Sequence, residues 1–135
     1  MQVYLTRWMA RYARREGISH ARLAEAITRA DQGLIDADLG GGLIKQRVAR
    51  AGKGRSGGYR TIIAYRRGDR AIFVFGFAKS KRENSGPDEL QSAREIGTIW
   101  LSADAKRIAR GIHDGELKEV VNESEETDPY GRGDA

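Results

Sequence analysis

The pattern of hydrophobic and polar residues in two runs near the middle of the chain predicts a β-hairpin. Tyr59–Arg66 and Ala71–Ala78 are rich in Tyr, Thr, Ile, Val and Phe, and a short Gly-Asp turn separates them. The second run is apolar on both sides of the alternation, which is typical of a central strand covered on both faces. In the first run, Arg60 shares its face with Ile62 and Ala64, so it either caps a cleft or pairs with a carboxylate.

Helical spacing of apolar residues predicts two helices before this hairpin. Thr6 is placed to cap a helix over Arg7–Glu16, in which Trp8 and Tyr12 lie four residues apart on one face. Aromatic residues at this spacing are usually buried, so we expect both to pack in the core. A second helix, capped by Ser19, is predicted to run to about residue 32.

Shorter alternating segments predict two further strands. Gln2–Thr6 is a candidate first strand, and Leu43–Arg50 alternates apolar residues with the basic residues Lys45 and Arg47. Leu34–Gly42 ends in three successive glycines and is predicted to form a turn into the second of these strands.

The end of the chain adds two helices and completes the predicted fold. Pro87 suits the first position of a helix to Leu101, Ser102 is placed to cap another, and Glu116–Val121 can form a short terminal strand. The order β-α-α-β-β-β-α-α predicts an α+β domain, in which helices pack on a small, mostly antiparallel sheet. We expect this domain to span residues 1–121 and an acidic, disordered tail to span 122–135.

Charge is distributed unevenly around the net value of +5. From Leu43 to Arg82 there are twelve Lys or Arg residues against the one acid Asp69, whereas from Glu116 onward seven acids face two basic residues. A basic middle predicts contact with nucleic acid, which the tail would screen. The alternative is a well-solvated β surface.

The predicted hairpin would bring basic residues from two parts of the sequence together. A basic loop, Lys53–Gly58, precedes it, and a second basic cluster, Lys79, Lys81 and Arg82, follows it. Because a hairpin brings its two outer ends together, these clusters are predicted to be neighbours in space and to hold a polyanion.

Composition excludes several other classes of site. The chain has no cysteine, and His20 and His113 are far apart without acidic ligand spacing, so we expect neither a disulfide nor a metal site. No apolar run is long enough to cross a bilayer, and the first residues do not resemble a signal peptide, so we expect a cytoplasmic protein.

Several segments of the chain resemble the RelE/ParE superfamily of type II toxin–antitoxin toxins, in particular its RelE/HigB-like branch. Ser56-Gly57-Gly58-Tyr59-Arg60, followed by a strand that ends in Ala78-Lys79, is the most specific part. This part belongs to a longer similar segment, Gly54–Ile62. The other similar segments are Gly33–Gly41, Lys45–Arg47 and Phe75–Lys79, and the resemblance covers residues 1 to about 121.

This resemblance implies an mRNA interferase that needs no metal or other cofactor. Such toxins act on mRNA, usually on the ribosome, and form hetero-oligomers with a cognate antitoxin that silences them. They orient RNA so that a 2′-hydroxyl attacks the adjacent phosphodiester, and basic side chains stabilise the negative charge that develops.

The resemblance also assigns roles to individual residues. It implies catalytic roles for Arg60 and Lys79 at the phosphate and for Lys53 and Arg55 in the loop, one of which acts as base or electrostatic stabiliser. The surrounding residues expected to bind RNA are Lys45, Arg47, Tyr59, Lys81 and Arg82. Some relatives carry a tyrosine after the last strand of the hairpin, but residues 80–86 have none, so Tyr59 or no tyrosine would serve.

Two rival functions remain open from the sequence. The first is a ParE-like toxin that poisons DNA gyrase, against which the presence of Arg60 and Lys79 argues. The second is a basic nucleic-acid-binding module without catalysis.

Overall fold

Six strands and four helices make up the part of the chain that the structure describes. The computed structural model describes residues 1–50, 54–82 and 84–121, and for residues 54–56 it describes the backbone alone. The elements are, in order, β1 (Gln2–Thr6), α1 (Arg7–Glu16), α2 (His20–Asp31), β2 (Ala37–Gly40), β3 (Leu43–Arg50), β4 (Gly54–Arg66), β5 (Arg70–Ala78), α3 (Pro87–Leu101), α4 (Ala105–His113) and β6 (Leu117–Glu119). The acidic tail predicted at 122–135 lies outside the described residues.

All six strands form one sheet in the order β2-β3-β4-β5-β1-β6. Neighbouring strands are antiparallel except β1 and β5, which pair in parallel through registers such as Leu5 with Phe73. The α+β class and the mostly antiparallel sheet are therefore confirmed. The two long strands of the predicted hairpin lie near the centre, where helices cover both of their faces.

The segment predicted as a plain turn before β3 contains a strand, and this prediction was wrong. Ala37–Gly40 pairs antiparallel with β3, with Ala37 opposite Lys45. Gly40, Gly41 and Gly42 all have positive φ angles, of 77°, 62° and 82°, and so form the tight connection between the two strands. Hydrogen bonds to the edge of β3 outweigh the low strand propensity of Asp and Gly.

The start of β4 also differs from the prediction. Residues 54–58 belong to the strand, with Gly54 opposite Arg50, whereas the sequence predicted a flexible loop as far as Gly58. Glycine-rich sequence weakens a strand on its own, but pairing with a long neighbouring strand extends it here.

Helix boundaries follow the predicted capping residues with one exception. The Thr6 hydroxyl accepts a hydrogen bond from the Met9 N–H at 3.1 Å, and Ser19 caps α2 in the same way. Ser102 does not cap the last helix, as was predicted; it ends α3, and the Asp104 carboxylate caps α4 by accepting from the Arg107 N–H at 2.8 Å. A carboxylate and a hydroxyl both cap helices well, so the spacing alone did not distinguish them.

The two faces of the sheet carry separate hydrophobic clusters. Helices α1 and α2 cover one face around Phe73 and Ile63, and we call it the α1/α2 face. Helices α3 and α4 cover the other around Ile62 and Trp100, which packs on the sheet as predicted, and we call it the α3/α4 face. Trp8 departs from the prediction because it is 50 % exposed at the start of α1. Among the described helices, none combines the length and apolar character that a membrane crossing requires.

Candidate functional site

Basic side chains from neighbouring strands meet at one end of the α3/α4 face. Arg47 on β3 lies directly opposite Arg60 on β4, and Arg60 lies opposite Phe77 on β5. Residues directly opposite in antiparallel strands point to the same face, with Cβ atoms about 5 Å apart. Arg47, Arg60 and Phe77 therefore form a row across three strands, which we call the basic row. At its edge, Nε of Arg47 lies 4.0 Å from Oδ1 of Asp36.

One step further along the strands, the same face becomes apolar. Lys45 lies opposite Ile62, which lies opposite Phe75. The Lys45 ammonium donates a hydrogen bond to Oδ1 of Asn84 at 2.9 Å, and this bond ties the connection between β5 and α3 to the sheet. The basic row thus lies at the boundary between the hydrophobic core and the open end of the face.

Arg60 lies at this boundary and is only 6 % exposed. It shares a face with Ile62 and Ala64, as the alternation predicted, and its neighbours on the two adjacent strands are Arg47 and Phe77. A buried guanidinium needs polar partners, and Arg60 does engage other groups. Its burial is compatible with both roles that the sequence left open, capping a cleft and pairing with a carboxylate.

The end of β5 brings the backbone of Lys79 next to the start of β4. Its backbone N–H donates to the Gly58 carbonyl at 3.0 Å, which continues the β4–β5 ladder by one residue. Lys79 lies in the turn that directly follows β5, two residues after Phe77, and its side chain is exposed. Of the other two predicted catalytic residues, Lys53 lies outside the described residues, and Arg55 is described by its backbone in β4 alone.

Arg82 closes the open end of the face. Its guanidinium carbon lies 4.5 Å from the centroid of the Phe77 ring, and its nitrogens donate to both carboxylate oxygens of Glu89 at 2.6 and 3.0 Å. The hydrogen bond from Arg82, with one from the Gly86 N–H, lowers the pKa of Glu89; the same bond raises the pKa of Arg82. Lys81, also predicted to bind RNA, is exposed in the preceding turn.

Tyr59 lies on the opposite face of the sheet, where it is 2 % exposed. Its ring packs edge-on against Tyr12, and its hydroxyl donates to the Glu16 carboxylate at 3.2 Å. Burial, together with the bond to Glu16, raises the pKa of Tyr59, and burial raises the pKa of Tyr12 to about 12. In this position Tyr59 supports the core and does not present its ring or hydroxyl to a substrate on the basic row.

Some residues of the site were not identified from the sequence. Phe75 and Phe77 were assigned to the core, yet Phe77 also provides the surface on which Arg82 stacks. The pairing of Arg82 with Glu89 was missed because the two residues lie in different elements. Their spacing of seven residues, with Glu89 at the third position of a helix that begins at Pro87, is the signal that could have indicated it.

Comparison with known proteins adds one finding to this geometry. A protein-family model described as the RelE toxin of the RelE/RelB toxin–antitoxin system matches residues 1–120. No curated protein matches the chain. The family match includes every element that contributes to the basic row.

Proposed function

The chain belongs to the RelE toxin family, and from this premise we propose that it is an mRNA interferase that cleaves mRNA without a metal ion. As a RelE toxin it acts within a toxin–antitoxin system and has a cognate antitoxin as its partner. The proposal adds that residues 1–121 form the toxin domain, with an acidic appendage after it. It also places the toxin in the cytoplasm, on mRNA in the ribosome.

The basic row is the observation that carries this proposal. Arg47 and Arg60 are opposite each other on β3 and β4, and Lys79 follows Phe77 by two residues at the end of β5, so three positive charges lie near one end of the sheet. Guanidinium groups match the geometry of phosphate oxygens, and fixed donors stabilise charge better than mobile water because they need no reorganisation.

The reaction we propose is attack of a ribose 2′-oxygen on the adjacent phosphorus. A new O–P bond forms, the bond from phosphorus to the 5′-oxygen breaks, and a 2′,3′-cyclic phosphate remains on one fragment. Arg60 and Lys79 are proposed to contact the phosphate oxygens, whose negative charge grows in the transition state. Arg47 and Lys45 are proposed to orient the chain on either side.

The proton transfers are assigned to the basic segment at the start of β4. Each of the four described tyrosines, Tyr4, Tyr12, Tyr59 and Tyr65, has a pKa raised first of all by burial. A buried phenol that stays protonated is a poor base, so we propose that Lys53 or Arg55 acts as base or electrostatic stabiliser. The 2′-hydroxyl gives up its proton as it attacks, and the departing 5′-oxygen takes up a proton.

Replacing Arg60 tests the proposal. The chain is expressed under induction and transcript 5′ ends are mapped, with wild type compared with Arg60→Ala. We expect cuts within translated regions in the wild type and a loss of about 100-fold or more in the variant, as for removal of a single charge-stabilising donor. Lys79→Ala should have an effect in the same direction.

Arg67→Ala is the matched control. Arg67 is an exposed arginine in the turn at the far end of the same hairpin, about 20 Å along β4 from Arg60. This variant should cut as the wild type does. Growth arrest that survives Arg60→Ala and Lys79→Ala together would refute cleavage at the basic row, and gyrase inhibition without RNA cleavage would instead indicate the ParE-like function.

A further inference from the structure

An apolar groove of about 650 Å³ adjoins the basic row on the α3/α4 face. It lies between the start of α1, strand β5 and helix α3, and its apolar lining includes Trp8, Phe75, Ile96 and Trp100. Volumes of this size are typical of sites for small molecules and cofactors. The proposed cleavage reaction makes no use of the groove.

Aromatic rings lead continuously from the basic row into the groove. Arg82 stacks on Phe77 and also lines the groove; the ring centroids of Phe77 and Phe75 are 6.4 Å apart, and those of Phe75 and Trp8 are 6.2 Å apart. Two residues along a strand correspond to about 7 Å, so the groove begins within a nucleotide or two of the proposed phosphate site. Trp8 is 50 % exposed and is stacked on Tyr12 behind it, at 5.1 Å between centroids.

The charges at the groove suit a neutral, flat group better than a phosphate. The Glu89 carboxylate is held by Arg82, and the Glu116 carboxylate by Arg107 at 3.1 Å. Within the described residues Asp88 has no ion-pair partner, and it lines the groove with Ser92, one helical turn away on α3. A carboxylate and a hydroxyl at that spacing can hydrogen-bond the N–H groups on the edge of a base.

We propose that this groove binds a nucleobase of the RNA whose phosphate lies on the basic row. The inference rests on the proposed function and adds a subsite to it. The base stacks on the exposed ring of Trp8, as bases do on aromatic side chains in single-strand-binding proteins, and its edge meets the ring of Phe75, which is perpendicular to that of Trp8. Its sugar and phosphate stay outside near Arg82. Asp88 and Ser92 then favour a base that offers N–H donors on its edge.

A thermodynamic cycle between protein and RNA tests this subsite. The probes are short 2′-O-methyl oligoribonucleotides, which cannot be cleaved, with an abasic residue placed at each position in turn. Binding at low salt is measured by fluorescence anisotropy for wild type, Trp8→Phe and Trp8→Ala. In the wild type we expect one abasic position to weaken binding by about 5- to 100-fold. In Trp8→Ala that penalty should disappear, whereas Trp8→Phe should retain most of it.

Two further variants guard the result. Ile96→Trp fills the groove from an exposed helix position and should also remove the abasic penalty, so the test does not depend on the fold tolerating Trp8→Ala. Ile99→Ala is the control, because Ile99 lies 55 % exposed on α3 outside the groove and should leave the penalty unchanged.

The outcomes separate this inference from the proposed function. Arg60-dependent binding with abasic penalties that neither Trp8→Ala nor Ile96→Trp alters would overturn the subsite and leave the cleavage proposal standing. Absence of Arg60-dependent binding, together with absence of Arg60-dependent cleavage in cells, would overturn both. Variants that weaken neutralisation by the antitoxin while RNA binding is unchanged would assign the groove to the protein partner and so overturn the inference.

Discussion

The two faces of the sheet are built from the same strands but differ in how they end. On the α1/α2 face, apolar packing and internal hydrogen bonds continue to the end of β4, where Tyr59 is buried against Tyr12 and bonded to Glu16. On the α3/α4 face, packing stops at Ile62 and Phe75, and the next residues outward are Arg60 and its basic neighbours.

The difference shows how one strand serves two purposes. Because side chains alternate along β4, Tyr59 and Arg60 are adjacent in sequence yet belong to opposite faces. Polar atoms on the α1/α2 face form hydrogen bonds within the protein. The Thr61 hydroxyl, for example, donates to the Gln46 carbonyl at 2.9 Å. At the end of β5, by contrast, the side chain of Lys79 is exposed. Stability and the proposed chemistry are thereby divided between neighbouring residues.

The largest effect on this comparison is expected from truncating Tyr59. Tyr59→Ala should lower the free energy of unfolding by about 3–5 kcal/mol, as for other large aromatic residues removed from a core, and should reduce activity only through loss of folded protein. Urea unfolding measures the first effect, and cleavage per folded molecule measures the second. Tyr59→Phe, which loses only the bond to Glu16, should cost about 1 kcal/mol and cut normally.

A Tyr59→Phe variant that folds but no longer cuts would contradict the division between the faces. It would show that the Tyr59 hydroxyl reaches the substrate and would restore the role that the sequence assigned to it.

Much of this fold could be predicted from local patterns. The bounds of α1 and β3 were predicted to the residue, and so was the end of β4 at Arg66, because alternation, helical spacing and capping are properties of short segments. The face of Arg60 follows from the same alternation.

Features that depend on pairing between strands far apart in the sequence could not be predicted. The strand Ala37–Gly40 exists because β3 offers it a partner, and β1 joins β5 in parallel although about 65 residues separate them. Trp8 carries the helical spacing of a core residue, but β1 ends at Thr6 and leaves an open groove beside β5 at that point.

The site was predicted in part for the same reason. Alternation puts Lys45 and Arg47 on one side of their strand and Arg60 beside Ile62 and Ala64 on the next, and the structure shows that Arg47 lies opposite Arg60. Alternation separates Tyr59 from Arg60 but does not predict that Tyr59 is buried, because the extent to which helices cover a strand cannot be read from the strand itself. Tyr59 lies in the core, and its contact with RNA stays a prediction that the structure does not support.

An intermediate effect on stability is expected from replacing Gln46, a buried polar residue of the α1/α2 face. Its side-chain amide is fully buried, donates to the carbonyls of Ala26 and Leu34 at 3.0 and 3.2 Å, and accepts from the Asp36 N–H at 2.7 Å. Gln46→Leu leaves these groups unpaired, so it should lower the free energy of unfolding by about 1–3 kcal/mol in urea.

Gln91→Leu is the matched control for this change. Gln91 is exposed on α3, so the same substitution there should alter stability by about 0.5 kcal/mol at most. Equal effects at the two positions would show that the hydrogen bonds of the Gln46 amide on the α1/α2 face add nothing specific to stability.

The smallest expected effect on stability concerns the pairing of Glu89 with Arg82 on the α3/α4 face. Because the bonds from Arg82 and the Gly86 N–H lower the pKa of Glu89 from 4.5, its contribution to stability is fully present above about pH 4.5. It is lost as the pH falls through the lowered pKa of the folded state. The Glu89 side chain is 43 % exposed, so the contribution is screened by solvent and should be small.

Glu89→Gln tests this pairing through its dependence on pH. The variant should have a slightly lower urea midpoint than wild type at pH 7, and the difference should shrink as the pH is lowered from 5 towards 2.5, because the wild-type carboxylate is then protonated. Arg82→Gln should reduce the same pH dependence, and the double variant should add little to either change because both remove one interaction. A difference that stays constant across this pH range would mean that Glu89 stabilises α3 through its polar contacts alone, and that Arg82 is held over Phe77 by the ring and not by the carboxylate.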